Sequence, residues 1–120
     1  MADSSKTIFL VDDNLTNLTM GKAALKDMFR TFTMPSAERM FELLKKIKPD
    51  LILLDLEMPE MSGWDAIKIL KSGDDKSIPV IFLTADASVE SKKLSIESGA
   101  QGYIAKPFDA DDLIRIIEHL

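Results

Sequence analysis

The sequence predicts an α/β domain built as (βα)5 around a parallel five-stranded sheet. Short apolar runs, Ile8 to Val11, Leu51 to Leu54 and Val80 to Leu83, alternate with amphipathic stretches along the chain. These runs are almost continuously hydrophobic rather than alternating, as expected of parallel strands covered on both faces. Strands that alternate with helices in turn imply right-handed crossovers.

The first strand is expected over Thr7–Val11. A helix follows from about Asn14 to Phe29, with Leu18, Leu25, Met28 and Phe29 at helical spacing. A weaker strand falls at Thr31–Met34. Ser36 then offers an N-cap for a second helix carrying Met40, Phe41, Leu44 and Ile47. The third strand is placed at Asp50–Leu54. Ser62 and Asp65 have the spacing of a capping box for the third helix, and Gly73 can end it. The fourth strand is placed at Pro79–Leu83, with a helix from near Asp86 to just before Gly99. A fifth strand at Gly102–Ala105 leads to a helix starting at Asp109, with Leu113, Ile116, Ile117 and Leu120 on one stripe. No linker or internal repeat divides residues 1–120, which read as a single domain. The last helix reaches the final residue without a cap, so the domain is expected to be the N-terminal part of a longer protein.

Composition narrows the function. The chain has 120 residues, 46% of them hydrophobic and 29% charged, which suits one soluble domain with a real core. Its apolar runs are far shorter than the ~20 residues of a membrane span. The polar start, Met1 to Lys6, lacks the apolar region of a secretory signal. No cysteine is present, which excludes disulfides and thiolate metal sites and favours a cytoplasmic location. The net charge of −5 and the lack of a basic run argue against direct nucleic-acid binding by this domain.

The chemistry is concentrated at the strand ends. Ligands of open α/β sheets bind beyond the carboxyl ends of the strands. There the sequence places Asp12 and Asp13 after the first strand and Asp55 after the third. Thr84 follows the fourth, and Lys106 with Pro107 the fifth. Three crowded carboxylates repel one another unless a cation is present. A hard divalent ion with oxygen ligands fits, Mg²⁺ first and Mn²⁺ second. Three carboxylates against one divalent ion and the Lys106 ammonium give a site near neutrality. One carboxylate can then attack phosphorus and form an aspartyl phosphate, with metal and lysine stabilising the transferring oxygens.

In this order, Asp12-Asp13, Asp55, Thr84 and Lys106-Pro107 resemble the signature of the receiver domain of bacterial response regulators. Met58-Pro59, Gly63, Gly99-Ala100 and the run Tyr103 to Phe108 match as well, and the likeness extends from Lys6 to Leu120. The resemblance implies a doubly wound, flavodoxin-like sheet of order 2-1-3-4-5, a topology whose chemotaxis receiver is a standard example. It implies Asp55 as the phosphoacceptor and Asp12 and Asp13 as Mg²⁺ ligands, with Asp55 and the backbone carbonyl of Glu57 completing the set. Lys106 would pair with the phosphoryl group, Thr84 would move toward it, and Tyr103 would rotate inward. The change would spread over the face formed by the fourth helix, fifth strand and fifth helix. In this family the side chains two positions after the phosphoacceptor and the threonine, here Glu57 and Asp86, influence how fast water removes the phosphoryl group.

The resemblance makes the chain a two-component signalling module rather than a metabolic enzyme, catalysing only its own phosphorylation and dephosphorylation. Its one histidine, His119, sits at the end of the last helix, so the phosphoryl donor must be a phosphohistidine on a sensor kinase or phosphotransfer protein. The signal would go to a separate target or a fused output domain, and a homodimer through the fourth- and fifth-helix face is compatible with it. The Lys106-Pro107 bond is cis in the family pattern.

Plainer readings exist for each residue. Asp12 and Asp13 could cap the first helix, Asp86 the fourth, Glu57 and His119 could simply be solvated, and Trp64 and Tyr103 could serve only packing. Other functions fit less well. A phosphatase of the haloacid dehalogenase type wants Asp-x-Asp after the first strand and a cap insertion, whereas here the acids are adjacent. An FMN binder wants a Ser/Thr/Gly-rich loop where this chain has Asp12-Asp13-Asn14-Leu15. A receiver reduced to docking would be expected to have lost signature residues, and all are present.

Overall fold

The computed structural model of the protein describes residues 6–86 and 88–119. Five strands and five helices alternate: β1 (Thr7–Val11), α1 (Leu15–Leu25), β2 (Arg30–Met34), α2 (Ala37–Leu44), β3 (Leu51–Asp55), α3 (Gly63–Ser72), β4 (Val80–Thr84), α4 (Val89–Glu97), β5 (Gly102–Ala105) and α5 (Ala110–Glu118). All strand pairs are parallel and the order is β2-β1-β3-β4-β5. This is the flavodoxin-like arrangement expected above.

Every residue of β1, β3 and β4 is buried, as their unbroken apolar runs require of strands covered on both faces. Because successive strand residues point to opposite faces, each strand feeds two cores. Phe9, Val11, Ile52, Leu54, Val80 and Phe82 pack with Met40 and Leu44 of α2 and with Ala66, Ile67 and Leu70 of α3. Ile8, Leu10, Leu51, Leu53, Ile81 and Leu83 pack on the other side with Leu18 and Leu25 of α1 and Leu113 and Ile117 of α5.

Several boundaries differ from the sequence expectation. The third and fourth strands begin and end one residue later than expected, so that Asp55 and Thr84 are their last residues. Asp50 stays outside β3, its Oδ2 accepting the Thr7 N–H at 2.7 Å. Helix α1 ends at Leu25, and Phe29 packs on the core from the following turn rather than from the helix. Helix α2 ends at Leu44, which leaves Ile47 beyond it but still against the core. Helix α4 starts at Val89 with Ser88 as its cap, and Asp86 lies upstream. The expected caps at Ser36 and Ser62 are present, the latter with Asp65 as a full capping box, and Gly73 closes α3. Asp109 caps α5 and forms a second capping box with Asp112. Leu120, expected on the α5 stripe, and Met1 to Ser5 lie outside the described residues.

Candidate functional site

The strand register assembles the site. Val11 pairs with Leu54, Asp55 with Leu83 and Thr84 with Ala105. Asp12, one residue beyond β1, therefore comes level with Asp55 at the end of β3. Thr84 ends β4, and Lys106 emerges just past β5. Four strands thus deliver their expected residues to one edge, and backbone bonds continue beyond the sheet to hold them. Leu56 N–H donates to the Leu83 carbonyl at 3.0 Å, and Lys106 N–H to the Thr84 carbonyl at 2.7 Å.

Asp12 is wholly buried, and both its oxygens are engaged. Oδ1 accepts the Asn14 N–H at 2.9 Å, and Oδ2 accepts from Asn17 Nδ2 at 3.1 Å and from Lys106 Nζ at 3.1 Å. Asp55, also buried, accepts from Lys106 Nζ at 3.2 Å and from the Glu57 N–H at 3.2 Å, both on Oδ1. Lys106 thus bridges the two buried acids. Asp13 is exposed, yet it, Asp12 and Asp55 each offer a carboxylate oxygen within 4.8 Å of the others. The Lys106-Pro107 peptide bond is cis.

The electrostatics show a cation deficit. Burial, and then the charge of Asp12, push the Asp55 carboxyl up from 3.8 to about 7, although Lys106 and the Glu57 N–H pull it down. Burial opposes the charge on Lys106, but its hydrogen bond to Asp12 and the charges of Asp12 and Asp55 hold it above the ordinary lysine value. Three carboxylates against one ammonium leave two negative charges uncompensated, which is the charge of one divalent ion. The all-oxygen donor set matches a hard cation, so the acidic trio could bind a metal ion.

The capping reading of Asp12 and Asp13 does not describe what they do, because Asn14 caps α1 by accepting the Asn17 N–H at 3.0 Å. Glu57 is exposed, and its N–H supports Asp55. Thr84 is buried, and its hydroxyl exchanges hydrogen bonds with the Asp86 backbone: it accepts the N–H at 2.9 Å and donates to the carbonyl at 3.3 Å. Tyr103 is half-buried on β5, with Lys92 Nζ 5.3 Å above its ring centroid. It lines a groove with Ile104, Pro107, Arg115, Ile116 and His119. His119 is exposed, with Nδ1 2.7 Å from the Arg115 carbonyl oxygen. Trp64 packs on Phe82, ring centroids 5.2 Å apart.

One contributor, Asn17, was not foreseen, and Gly63, expected only as part of the family pattern, has a steric reason. Asn17 secures Asp12 from the first turn of α1; in the sequence it stands out only as half of a glycosylation-like Asn17-Leu18-Thr19. Gly63 is needed sterically, because a Cβ there would overlap the Asp55 carbonyl oxygen and lie 2.9 Å from Leu56 Cα. The β3–α3 loop can pass over the end of β3 only without a side chain at that position.

Comparison with known proteins agrees with this geometry. Residues 8–118 match the family profile of the response regulator receiver domain. The chain is 38% identical over 109 residues to a "Probable cyclic di-GMP phosphodiesterase" of Vibrio cholerae, covering 89% of this chain and 25% of that protein. It is 36% identical over 113 residues to "Regulatory protein AtoC" of Escherichia coli, covering 92% and 24%. The chain therefore spans about a quarter of the length of these relatives. Among solved structures, the chemotaxis protein CheY4 of Vibrio cholerae superposes with a TM-score of 0.89 at 25% identity, covering 95% of this chain and 97% of that one. The receiver domain of sensor histidine kinase PA1611 from Pseudomonas aeruginosa, solved with a magnesium ion coordinated in its active site cleft, superposes with a TM-score of 0.85 at 27% identity, covering 96% of each chain.

Proposed function

The chain belongs to the response regulator receiver domain family, a family of signalling domains, and on that premise we propose that it is a phosphorylation switch in which Asp55 accepts a phosphoryl group from a phosphohistidine on a partner kinase or phosphotransfer protein. The observation that carries the reading is the buried Asp12–Lys106–Asp55 bridge beside exposed Asp13 at the carboxyl edge of the sheet.

Asp12, Asp13 and Asp55 would hold Mg²⁺, with the Glu57 carbonyl as a further ligand. Mn²⁺ is an alternative. The ion supplies charge neutralisation at the phosphoryl oxygens. The Lys106 ammonium and the Glu57 N–H favour the ionised form of Asp55 against its burial, and a bound cation would displace the remaining proton so that the carboxylate is free to attack. Its carboxylate oxygen attacks phosphorus, the P–N bond to the donor imidazole breaks, and the nitrogen keeps the bonding pair. Lys106, already within ion-pair distance of the acceptor, stabilises charge on the transferring group. Thr84 can redirect its hydroxyl from Asp86 to a phosphoryl oxygen, and Tyr103 would respond by turning inward from its half-buried position.

The readout surface would be the α4–β5–α5 face, where an apolar groove runs along Tyr103, Ile104 and Ile116. A target protein, a fused output domain or a second copy would dock there. No helix among the described residues is long and apolar enough to cross a membrane, and a cytoplasmic role is proposed, without direct nucleic-acid contact by this domain. Intact mass after incubation with acetyl phosphate tests the reading. A gain of one phosphoryl group that requires Mg²⁺ supports it. Steady hydrolysis of small phosphate esters without a trapped adduct would favour a phosphatase instead.

A further inference from the structure

The sheet ends on β2 at the edge away from β5, and that edge is open. The Arg30 N–H donates to the Lys6 carbonyl at 2.9 Å, and the Met34 carbonyl accepts the Asp12 N–H at 3.1 Å, so both residues turn their backbone toward β1. Bonding residues alternate along a strand. Phe32 therefore shares that side, and Thr31 and Thr33 point their N–H and C=O groups out of the sheet. No turn or loop backbone among the described residues bonds to them. The strand itself is anchored. Phe32 packs edge-on against Phe9 with ring centroids 5.9 Å apart, and the Arg30 guanidinium lies 5.7 Å over the Phe32 ring. The edge is thus preformed.

The surroundings of this edge are basic, although the chain as a whole carries −5. On the α1 side a groove of about 330 Å³ joins Thr33 to Leu18, Lys22, Ala23 and Lys26. On the α2 side a groove of about 550 Å³ joins Met34 to Arg39, Leu43, Lys45 and Lys46, with Glu42 as the one acid lining either groove. Arg30 adds a further cation on β2 itself. Among the described residues, none of these basic side chains has a carboxylate within ion-pair distance. Lysines beside an open strand discourage pairing between like copies. The same charges favour a strand of opposite sign. A nucleic acid fits less well: its phosphates accept hydrogen bonds but cannot donate to the outward carbonyls of Thr31 and Thr33, and the Phe32 ring is already covered by Arg30.

We propose that the β2 edge is a docking site for an acidic, extended segment of a partner protein, which adds a strand to the sheet beside β2. Its backbone pairs with Thr31 and Thr33, the source of affinity in strand addition, and its side chains alternate between the two grooves, the source of specificity. Acids on one face of the added strand meet Lys22 and Lys26, and acids on the other meet Arg39, Lys45 and Lys46. Because β2 and β5 are opposite edges of the sheet, such a partner can stay bound while the α4–β5–α5 face is engaged. This docking is independent of phosphoryl transfer at Asp55.

An NMR titration of the full chain with a synthetic peptide, three repeats of Glu-Glu-Val with blocked ends, tests this without any phosphoryl donor. The amides of Thr31 and Thr33 should shift on binding, and their hydrogen exchange should slow about fivefold or more as they gain partners. The double change Lys45→Glu, Lys46→Glu should weaken binding about tenfold. Thr33→Pro removes an outward N–H while leaving the bonds to β1, and should weaken it about as much. A peptide N-methylated at alternate residues keeps its charge but cannot pair as a strand, and it should bind the wild type about tenfold more weakly, so the test stands even if Thr33→Pro fails to fold. Absence of binding, equal binding of the N-methylated peptide, or binding that leaves Thr31 and Thr33 exchange unaltered would overturn strand addition. An oligothymidylate that protects the same amides and binds more tightly would overturn it in favour of nucleic acid. Slow exchange of Thr31 and Thr33 in the free chain would also overturn it, assigning the edge to a second copy if sedimentation shows a dimer and to this chain's own residues if it shows a monomer.

Discussion

Replacing Asp55 with asparagine is expected to stabilise the metal-free protein above neutral pH, although it removes the proposed acceptor. The rise of the Asp55 carboxyl from 3.8 to about 7 means that its ionised form costs the fold about 4 kcal/mol relative to the unfolded chain, at 1.36 kcal/mol per pH unit. Asparagine keeps a carbonyl oxygen for the Glu57 N–H and Lys106 Nζ, which donate to Asp55 Oδ1 at 3.2 Å each, and it ends the repulsion from Asp12. The folded acid binds its proton more tightly than the unfolded one, so between pH ~4 and ~7 the native state carries more protons and wild-type stability falls as pH rises. The advantage of Asp55→Asn should therefore be on the order of 2–4 kcal/mol at pH 8 and about half of that or less at pH 5. Urea unfolding in EDTA, followed by Trp64 fluorescence at the two pH values, measures it. An asparagine variant less stable than wild type at pH 8, or a difference that grows toward pH 5, would refute the electrostatic reasoning.

Related perturbations follow from the same geometry. Mg²⁺ must displace the proton from Asp55, so its shift in thermal midpoint should be larger at pH 8 than at pH 5.5; at a hundred times its dissociation constant it corresponds to about 2.7 kcal/mol. A shift independent of pH would place the ion elsewhere. Lys106→Met leaves buried Asp12 and Asp55 without their shared cation, and at pH 8 without metal it should cost about 2–4 kcal/mol by denaturant unfolding, with part restored by Mg²⁺. Unchanged stability would deny Lys106 its neutralising role. Gly63→Ala forces a Cβ onto the Asp55 carbonyl oxygen and the Leu56 backbone; it should destabilise by about 1–3 kcal/mol and slow phosphoryl uptake, whereas wild-type uptake would show that the loop can move aside freely.

The central strands could be read from the sequence because their burial on both faces leaves no polar positions to blur the pattern. Helix ends were less legible. Met28 and Phe29 continue the α1 spacing, yet the chain turns after Leu25 and Phe29 reaches the same core from outside the helix. Asp86 and Ser88 are both good capping residues, and only the folded backbone selects Ser88. The site residues were legible because their chemical types fall at successive strand ends. Their connections were not, since the Asn17 bond to Asp12 and the double bridge by Lys106 depend on how β1, β3 and β5 are brought together. Helix α4 carries almost no periodic signal, because its buried face is serine and its apolar residues point outward.

The proposed switch requires that Asp55, rather than either acid after β1, carries the phosphoryl group. Borohydride reduction of the protein after acetyl phosphate treatment in Mg²⁺, followed by peptide sequencing in a mass spectrometer, decides it, because reduction converts an aspartyl phosphate to homoserine. The account predicts homoserine at position 55 alone, absent without Mg²⁺. Homoserine at Asp12 or Asp13, or none in a folded protein that binds Mg²⁺, would contradict it.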